Sequence, residues 1–262
     1  MIKTLTLLLT ILFLSAACEN EKRNATTTVL EKLLKDTIAP FSHKNKIGPP
    51  GPPNRIADNS RSAPASAKPP AEATNTAPEK NDFSDVAALD PSIKLDIRYA
   101  TADNFTKSKI YDCPRCLLRP EAAKALVKAH KALQKKGLGL KMFDCYRPRP
   151  YQQRLWDKVP NPDYVTPPAK GSMHSRGAAV DLTIVDEKGN ELDMGTPYDF
   201  FGKEAHTDNM NLPAPVLANR RLLRETLEAV GFKGIRTEWW HFSFQGKNYP
   251  LSDYVWPCEK QK

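Results

Sequence analysis

The sequence predicts one α+β domain, with helices flanking a mainly antiparallel sheet, preceded by a signal segment and a disordered linker. Within the domain, short segments that alternate apolar and polar residues are mixed with segments of helical spacing, without regular βαβ order. Proline is concentrated ahead of the domain, since nine of the 23 prolines lie between residues 40 and 80. The extreme N-terminus is short, apolar and led by a positive charge.

The N-terminal segment has the organisation of an export signal. Lys3 supplies positive charge, residues 5–14 are apolar, and small residues precede Cys18. The apolar stretch is shorter than the ~20 residues that a membrane span requires. We expect residues 1–18 to be a signal peptide that resembles the bacterial lipoprotein type, with Cys18 lipidated, although Leu14 stands one position too far from the cysteine. Plain secretion is the alternative.

Residues 19–81 are predicted to be a disordered tether, because their proline-rich, polar composition cannot bury enough apolar surface to fold. The folded domain is then expected at residues 82–262. A lipid anchor at Cys18 would make the membrane a partner and place the protein in the periplasm or cell envelope. The net charge of +9 comes without a basic cluster interleaved with aromatic residues, so no nucleic-acid partner is expected.

The first elements of the domain follow from periodicity. Residues 92–99 predict a strand, because apolar residues occupy every second position from Ile93 to Tyr99. Residues 120–136 predict a helix. Pro120 suits its first turn, and Gly137 is a typical signal for its end.

The second part of the domain continues this mixture. Helices are predicted at residues 150–159 and 219–230, and Gly231 ends the second of them. A polar turn at residues 186–190 should reverse the chain. Apolar runs predict strands at residues 138–146, 178–185 and 239–244.

Four cysteines remain beyond Cys18, at positions 113, 116, 145 and 258. In an exported protein an even number suggests disulfides, and the sequence leaves three pairings, or free thiols, open. The spacing of Cys113 and Cys116 is also that of half a zinc knuckle or of a redox pair, so a four-cysteine zinc site is an alternative.

A carboxylate in an apolar strand marks the candidate site. Asp181 lies among apolar residues of the predicted strand, and His174 lies in the turn before it. Burying a charge is costly unless something compensates it, and a metal ion would do so. The alternative is that Asp181 pairs with Arg176 or with a backbone amide.

A second segment adds a histidine and another carboxylate. Glu238 and His241 flank Trp239 and Trp240, and apolar surroundings raise the pKa of a carboxyl group, which suits a general base. His174, Asp181 and His241 together form a three-ligand set that predicts one Zn²⁺ per chain. Its fourth position is left for water, as in catalytic zinc sites.

These motifs resemble those of the zinc D-alanyl-D-alanine dipeptidases, which include the vancomycin-resistance dipeptidases and are related to zinc D,D-carboxypeptidases. The resemblance runs through residues 90–250 in the same order. The matching motifs are Ser172-x-His174-x-x-Gly177-x-Ala179-x-Asp181, Glu238-x-x-His241, Tyr99-Ala-Thr, Asp144-Cys-Tyr-Arg147-Pro and Met194-Gly-Thr-Pro-Tyr-Asp199.

The resemblance implies zinc-dependent hydrolysis of the small dipeptide D-Ala-D-Ala. The signal segment favours a role in cell-wall peptide turnover or scavenging outside the cytoplasm. The resemblance also implies that Glu238 is the general base, that Arg147 stabilises the oxyanion, and that Asp199 binds the substrate ammonium group. The alternative is that Arg147 is a surface cation, although Pro148 and the apolar strand before it favour an inward, fixed position. The alternative for Asp199 is a helix N-cap or turn residue. The residues expected to line the substrate pocket are Ser172, Tyr99 and Tyr111.

Two other functions stay open at this point. The first is a D,D-carboxypeptidase or endopeptidase acting on peptidoglycan peptides, which would not require a free substrate N-terminus. The second is a zinc-binding module without activity, although the presence of both Glu238 and Arg147 speaks against it.

Overall fold

A computed structural model of the chain describes residues 82–258. The predicted signal peptide with Cys18 and the predicted tether lie outside the described residues. Within the described range, no helix combines the length and the apolar character needed to cross a membrane.

Helices and strands alternate irregularly along the chain, as the sequence predicted. Within residues 82–258, the α-helices are α1 (Val86–Leu89), α2 (Pro120–Gln134), α3 (Arg149–Lys158) and α4 (Ala214–Glu228). Short 3₁₀ helices lie at Arg98–Ala100, His174–Arg176 and Lys203–Ala205. The strands are β1 (Ser84–Asp85), β2 (Lys94–Leu95), β3 (Leu117–Leu118), β4 (Leu138–Asp144), β5 (Ala179–Asp186), β6 (Phe232–Gly234) and β7 (His241–Phe244).

The main sheet has five strands in the order β2-β4-β5-β7-β6. Only the β2–β4 pair is parallel, and the other three pairs are antiparallel. Helix α2 packs against β4, helix α4 packs against β5 and β6, and the two helices contact each other. The prediction of helices packed on a mainly antiparallel sheet is therefore confirmed.

Helix α2 shows why the longer elements were predictable. Leu126, Ala129 and Leu133 are fully or almost fully buried, which is the apolar stripe that the helical spacing indicated. Gly137 has a φ of 70°, a left-handed conformation that glycine adopts without a steric penalty. The chain thus turns there directly into β4.

Several predicted boundaries differ from the structure by one or more residues, and three of the differences have a local explanation. Residues 92–99 form a strand only at Lys94–Leu95, because the chain turns into the 3₁₀ helix Arg98–Ala100. The amide of Asn104 donates to the carbonyls of Arg98 and Thr101 and so stabilises the loop that follows. Helix α4 begins at Ala214 instead of residue 219, since prolines are well suited to a first turn. Strand β7 begins at His241, because the two preceding tryptophans form a turn.

The disulfides join Cys113 to Cys258 and Cys116 to Cys145. This is one of the three pairings that the sequence left open. Because all four thiols are consumed, free thiols and a four-cysteine zinc site are excluded.

Candidate active site

Three adjacent strands carry polar residues to one row of the sheet. Asp181 in β5 lies opposite His241 in β7 on one side and opposite Asp144 in β4 on the other. Directly paired residues project on the same face of a sheet, so the three side chains converge. His174 joins them from the 3₁₀ turn before β5, and Gly177, with a φ of 69°, ends that turn.

The side chains of His174, Asp181 and His241 form a triangle of donor atoms. Nε2 of His174 lies 3.1 Å from Nδ1 of His241 and 3.3 Å from Oδ1 of Asp181, and the third edge measures 3.0 Å. In a tetrahedral zinc site with bonds of about 2.0–2.1 Å, neighbouring ligand atoms are about 3.3–3.4 Å apart. The triangle therefore fits a zinc ion.

Each member of the triangle is held by a further hydrogen bond. Nδ1 of His174 donates to the carbonyl oxygen of Cys145 at 2.6 Å, which leaves Nε2 free to bind metal. Nε2 of His241 donates to Oγ of Ser243 at 3.1 Å. The hydroxyl of Tyr198 donates to Oδ2 of Asp181 at 3.0 Å. These contacts orient all three candidate ligands towards a common point.

Asp181 is kept in the form that a metal needs. Burial alone would raise the pKa of this carboxyl group, but His174 and His241 outweigh burial and hold the pKa well below its usual range. The carboxylate is therefore ionised at neutral pH, as a zinc ligand must be.

Arg147 is not a surface cation, since its exposed fraction is 8%. Its Nη2 lies 3.2 Å from Oδ2 of Asp144, and its guanidinium carbon lies 5.1 Å from the ring centre of Tyr99. Its Nε has no hydrogen-bond partner within residues 82–258. The guanidinium is therefore held in place, and one of its N–H groups is buried without a partner.

The hydroxyl of Tyr111 points to Asp144. It donates to Oδ1 at 2.6 Å, and the backbone N–H of Cys145 donates to the same oxygen at 2.9 Å. Tyr111 is only 1% exposed. The structure thus places it behind Arg147, as a support for the carboxylate that holds Arg147.

Two further carboxyl groups lie near the triangle. Burial raises the pKa of Glu238, Asp181 adds to this rise, and His241 opposes it. Burial also raises the pKa of Asp199 well above its usual range, and the hydroxyl of Tyr99 donates to Asp199 at 3.2 Å. Asp199 has a φ of 58°, the left-handed region that few non-glycine residues occupy and that clusters at functional sites.

Ser172 occupies a supporting position. Its Oγ accepts a hydrogen bond of 3.3 Å from the backbone N–H of Ser175, so it stabilises the 3₁₀ turn that carries His174. The predicted site residues thus lie around the triangle. Ser172 bonds to the turn that carries His174. Tyr111 bonds to the carboxylate of Asp144, which holds Arg147.

Sequence reasoning gave no role to three residues that support the site. Asp144 is fully buried at the end of β4, Tyr198 binds Asp181, and Ser243 binds His241. Ser243 had a detectable signal, because residues two apart in a strand share a face. The contacts of Asp144 and Tyr198 with the site depend on the strand register and on the path of a loop, which the sequence does not reveal.

Comparisons with known proteins identify the family of this chain. The sequence profile of the peptidase M15 family, described as D-ala-D-ala dipeptidase, matches residues 79–256. A D-alanyl-D-alanine dipeptidase of Escherichia coli strain K12 is 41% identical over 181 residues, covering 69% of this chain and 94% of that protein. A D-alanyl-D-alanine dipeptidase of Enterococcus faecium is 32% identical over 188 residues, covering 64% of this chain and 93% of that protein.

A solved vancomycin-resistance D,D-pentapeptidase, VanY, in complex with Zn(II), is 18% identical and covers 50% of this chain and 74% of its own. The TM-score of 0.33 is too low for that likeness to support an argument. The family match covers most of the described domain, and the donor triangle fits its metal. The chain belongs to the peptidase M15 family of D-Ala-D-Ala dipeptidases and is a zinc metallopeptidase.

Proposed function

We propose that this protein hydrolyses the dipeptide D-Ala-D-Ala with one zinc ion held by His174, Asp181 and His241. The observation that carries the proposal is the donor triangle, whose edges measure 3.0–3.3 Å. A buried arginine, Arg147, and a half-buried glutamate, Glu238, lie near it. The relatives named as D-alanyl-D-alanine dipeptidases support the substrate.

Glu238 is the proposed general base and acid. Zinc, when bound, supplies a Lewis acid that lowers the pKa of water and polarises a carbonyl group. Glu238 takes a proton from the attacking water and returns it to the leaving amine. The raised pKa of Glu238 suits both transfers, because a carboxyl group with a pKa closer to neutrality accepts and releases a proton more evenly.

Arg147 is proposed to stabilise the oxyanion that forms at the scissile carbonyl. A fixed donor that points to developing charge in a site shielded from water can contribute several kcal/mol. Asp144 and the ring of Tyr99 hold the guanidinium in place, so it does not have to reorganise during the reaction. Its buried Nε–H has no hydrogen-bond partner within residues 82–258, so the guanidinium retains unused donor capacity.

Asp199 is proposed to bind the free ammonium group of the substrate. Burial opposes its ionisation, and an ammonium group bound beside it would favour the charged carboxylate. The contact selects a dipeptide, because an acylated or extended substrate has no cation at that position. This distinguishes the protein from a D,D-carboxypeptidase or endopeptidase, which acts on such extended peptides.

The reaction is proposed to take place outside the cytoplasm, in wall-peptide turnover or scavenging. Two disulfides support an oxidising compartment, since cytosolic thiols are kept reduced. Anchoring through Cys18 is tested by fractionation of cells that express the full chain. Wild type should be in the membrane fraction and Cys18→Ser in the soluble fraction. Wild type in the soluble fraction would favour plain secretion.

The experiment for the activity is a substrate panel with metal analysis. We expect turnover of D-Ala-D-Ala, with no turnover of L-Ala-L-Ala or N-acetyl-D-Ala-D-Ala, in protein that contains one zinc per chain. Equal cleavage of the acetylated and free dipeptides would favour the carboxypeptidase. Zinc without turnover of any substrate would favour the non-catalytic module.

A further inference from the structure

The short segment Asp144–Arg147 delivers three groups to the metal centre. It carries Arg147, and it carries the carboxylate of Asp144, which lies 3.6 Å from Nδ1 of His174. It also carries the carbonyl oxygen of Cys145, which accepts the 2.6 Å hydrogen bond from the same Nδ1. Such an outer bond sets the tautomer and the direction of a ligand imidazole, so the position of the Cys145 carbonyl bears on zinc affinity.

The sheet holds this segment only at its beginning. Strand β4 ends at Asp144, and its register with β5 shifts between Met142 and Asp144. Beyond the strand, the N–H of Cys145 bonds to the neighbouring side chain of Asp144, and its carbonyl bonds to His174. Neither backbone group therefore ties Cys145 to an adjacent strand.

The disulfide to Cys116 supplies a tie at this position. Cys116 and Cys145 are 0% and 1% exposed. Cys116 is itself anchored, because its carbonyl accepts a 2.9 Å hydrogen bond from the N–H of Val86 and the next residue begins β3, which pairs with β1. A second link follows at once, where the N–H of Tyr146 donates to the carbonyl of Leu117 at 3.0 Å.

We propose that the Cys116–Cys145 disulfide is a positioning element of the zinc site. It fixes the Cys145 carbonyl, which orients the ring of His174, and it fixes the start of the turn that carries Arg147. The inference rests on the proposed zinc ligation by His174. It assigns to a buried disulfide an effect on metal binding in addition to its effect on the fold.

The other disulfide provides a matched control. Cys113 and Cys258 are separated by 145 residues, against 29 for Cys116 and Cys145. In the chain-entropy description, the longer loop gives the larger stabilisation of the fold. The carbonyl of Cys113 accepts a hydrogen bond from the indole of Trp256 in the C-terminal segment. Loss of the Cys113–Cys258 bond should therefore lower stability more, and loss of the Cys116–Cys145 bond should lower zinc affinity more.

The test compares two double variants of the full chain, Cys116→Ala with Cys145→Ala and Cys113→Ala with Cys258→Ala. Zinc affinity is measured by competition with a chromophoric chelator, and the thermal midpoint is measured on the metal-free protein. Loss of the Cys116–Cys145 disulfide should weaken zinc binding by about 10- to 100-fold, as does loss of a group that hydrogen-bonds a metal ligand. The double variant that lacks the Cys113–Cys258 bond should keep a zinc affinity within about threefold of wild type. Its thermal midpoint should fall at least as much as that of the variant that lacks the Cys116–Cys145 bond.

Two more measurements separate positioning from simple loss of structure. The visible spectrum of the cobalt-substituted protein reports ligand geometry, and it should change in the site variant and not in the control. Cys116→Val with Cys145→Ala refills the core, and near-ultraviolet circular dichroism shows whether each variant keeps its tertiary structure. The refilled variant should be folded and still bind zinc weakly.

Several outcomes would overturn the inference. One is a folded site variant with wild-type zinc affinity and an unchanged cobalt spectrum. Another is an equal loss of affinity in both double variants, and a third is a loss of zinc binding that accompanies loss of the tertiary signal in both site variants. Wild-type protein that fails to bind zinc would instead defeat the proposed function, so the two failures are distinguishable.

Discussion

Replacement of Tyr111 by phenylalanine removes one hydroxyl group from beneath the active site. That hydroxyl donates a 2.6 Å hydrogen bond to Asp144, and both residues are at most 1% exposed. Burial raises the pKa of Asp144 against the opposing effect of Arg147, so the hydroxyl contributes to keeping the carboxylate ionised. A hydrogen bond to a charged group contributes about 1.5–3 kcal/mol. We expect the free energy of unfolding to fall by that amount.

The same substitution should lower kcat more than it changes KM, because Asp144 holds Arg147 and Arg147 acts on the oxyanion. If about 1.4 kcal/mol of the loss reaches the transition state, kcat falls about tenfold. Urea denaturation and steady-state hydrolysis of D-Ala-D-Ala measure the two effects. Tyr111 would instead be a residue of the pocket wall if KM rose while stability and kcat were unchanged.

Tyr146→Phe is the matched control. Tyr146 is also fully buried, and its hydroxyl donates to the neutral carbonyl of Tyr254 at 3.0 Å. A hydrogen bond between neutral groups contributes about 0.5–1.5 kcal/mol, and this one does not involve Arg147. The control should lose less stability and keep its kcat. Equal losses in the two variants would refute the support that we assign to Tyr111.

Three further predictions concern single groups. Glu238→Gln should lower kcat by about 10²–10⁴-fold with zinc content unchanged, because proton transfer is lost and the ligands are not; atomic absorption and turnover assays measure this. Asp199→Asn should raise KM for D-Ala-D-Ala, since the ammonium group loses its counter-charge; a steady-state series that shows an unchanged KM would remove Asp199 from substrate binding. His130, whose Nδ1 accepts from the N–H of Leu140, has a pKa lowered by burial. As the pH falls, the unfolded chain therefore binds a proton at His130 at a higher pH than the folded protein does. The free energy of unfolding should fall as the pH drops through about 6.5. Urea denaturation at about pH 7.5 and about pH 5.5 should show a smaller loss for His130→Gln than for wild type.

Local patterns were sufficient for the longer elements and for the candidate ligands. Asp181 was detectable because a carboxylate in a run of buried residues needs compensation, and the strand around it is in fact buried throughout its apolar length. Glu238 and His241 were also detectable, because they lie close together in one short segment beside two tryptophans. These signals depend on residues that are close in sequence, so one chain is enough to read them.

The rest depends on how distant segments meet. The β4–β5 register puts Asp144 beside Asp181, and β2 ends after two residues, ahead of the 3₁₀ helix Arg98–Ala100. The position of Tyr111 under Asp144 joins residues 33 apart in the chain. The pairing of Cys116 with Cys145 needs the same long-range geometry. No periodicity or motif carries this information, because each contact is set by tertiary packing.

The most direct test of the account is a zinc titration of the metal-free full chain, with D-Ala-D-Ala hydrolysis followed at each addition. The triangle of His174, Asp181 and His241 predicts that activity is absent at the start, rises linearly and stops rising at one zinc per chain. Asp181→Asn should show a zinc affinity at least about tenfold weaker, since it removes the charge of a ligand. Full activity of metal-free protein, or unaltered zinc binding by Asp181→Asn, would contradict the account.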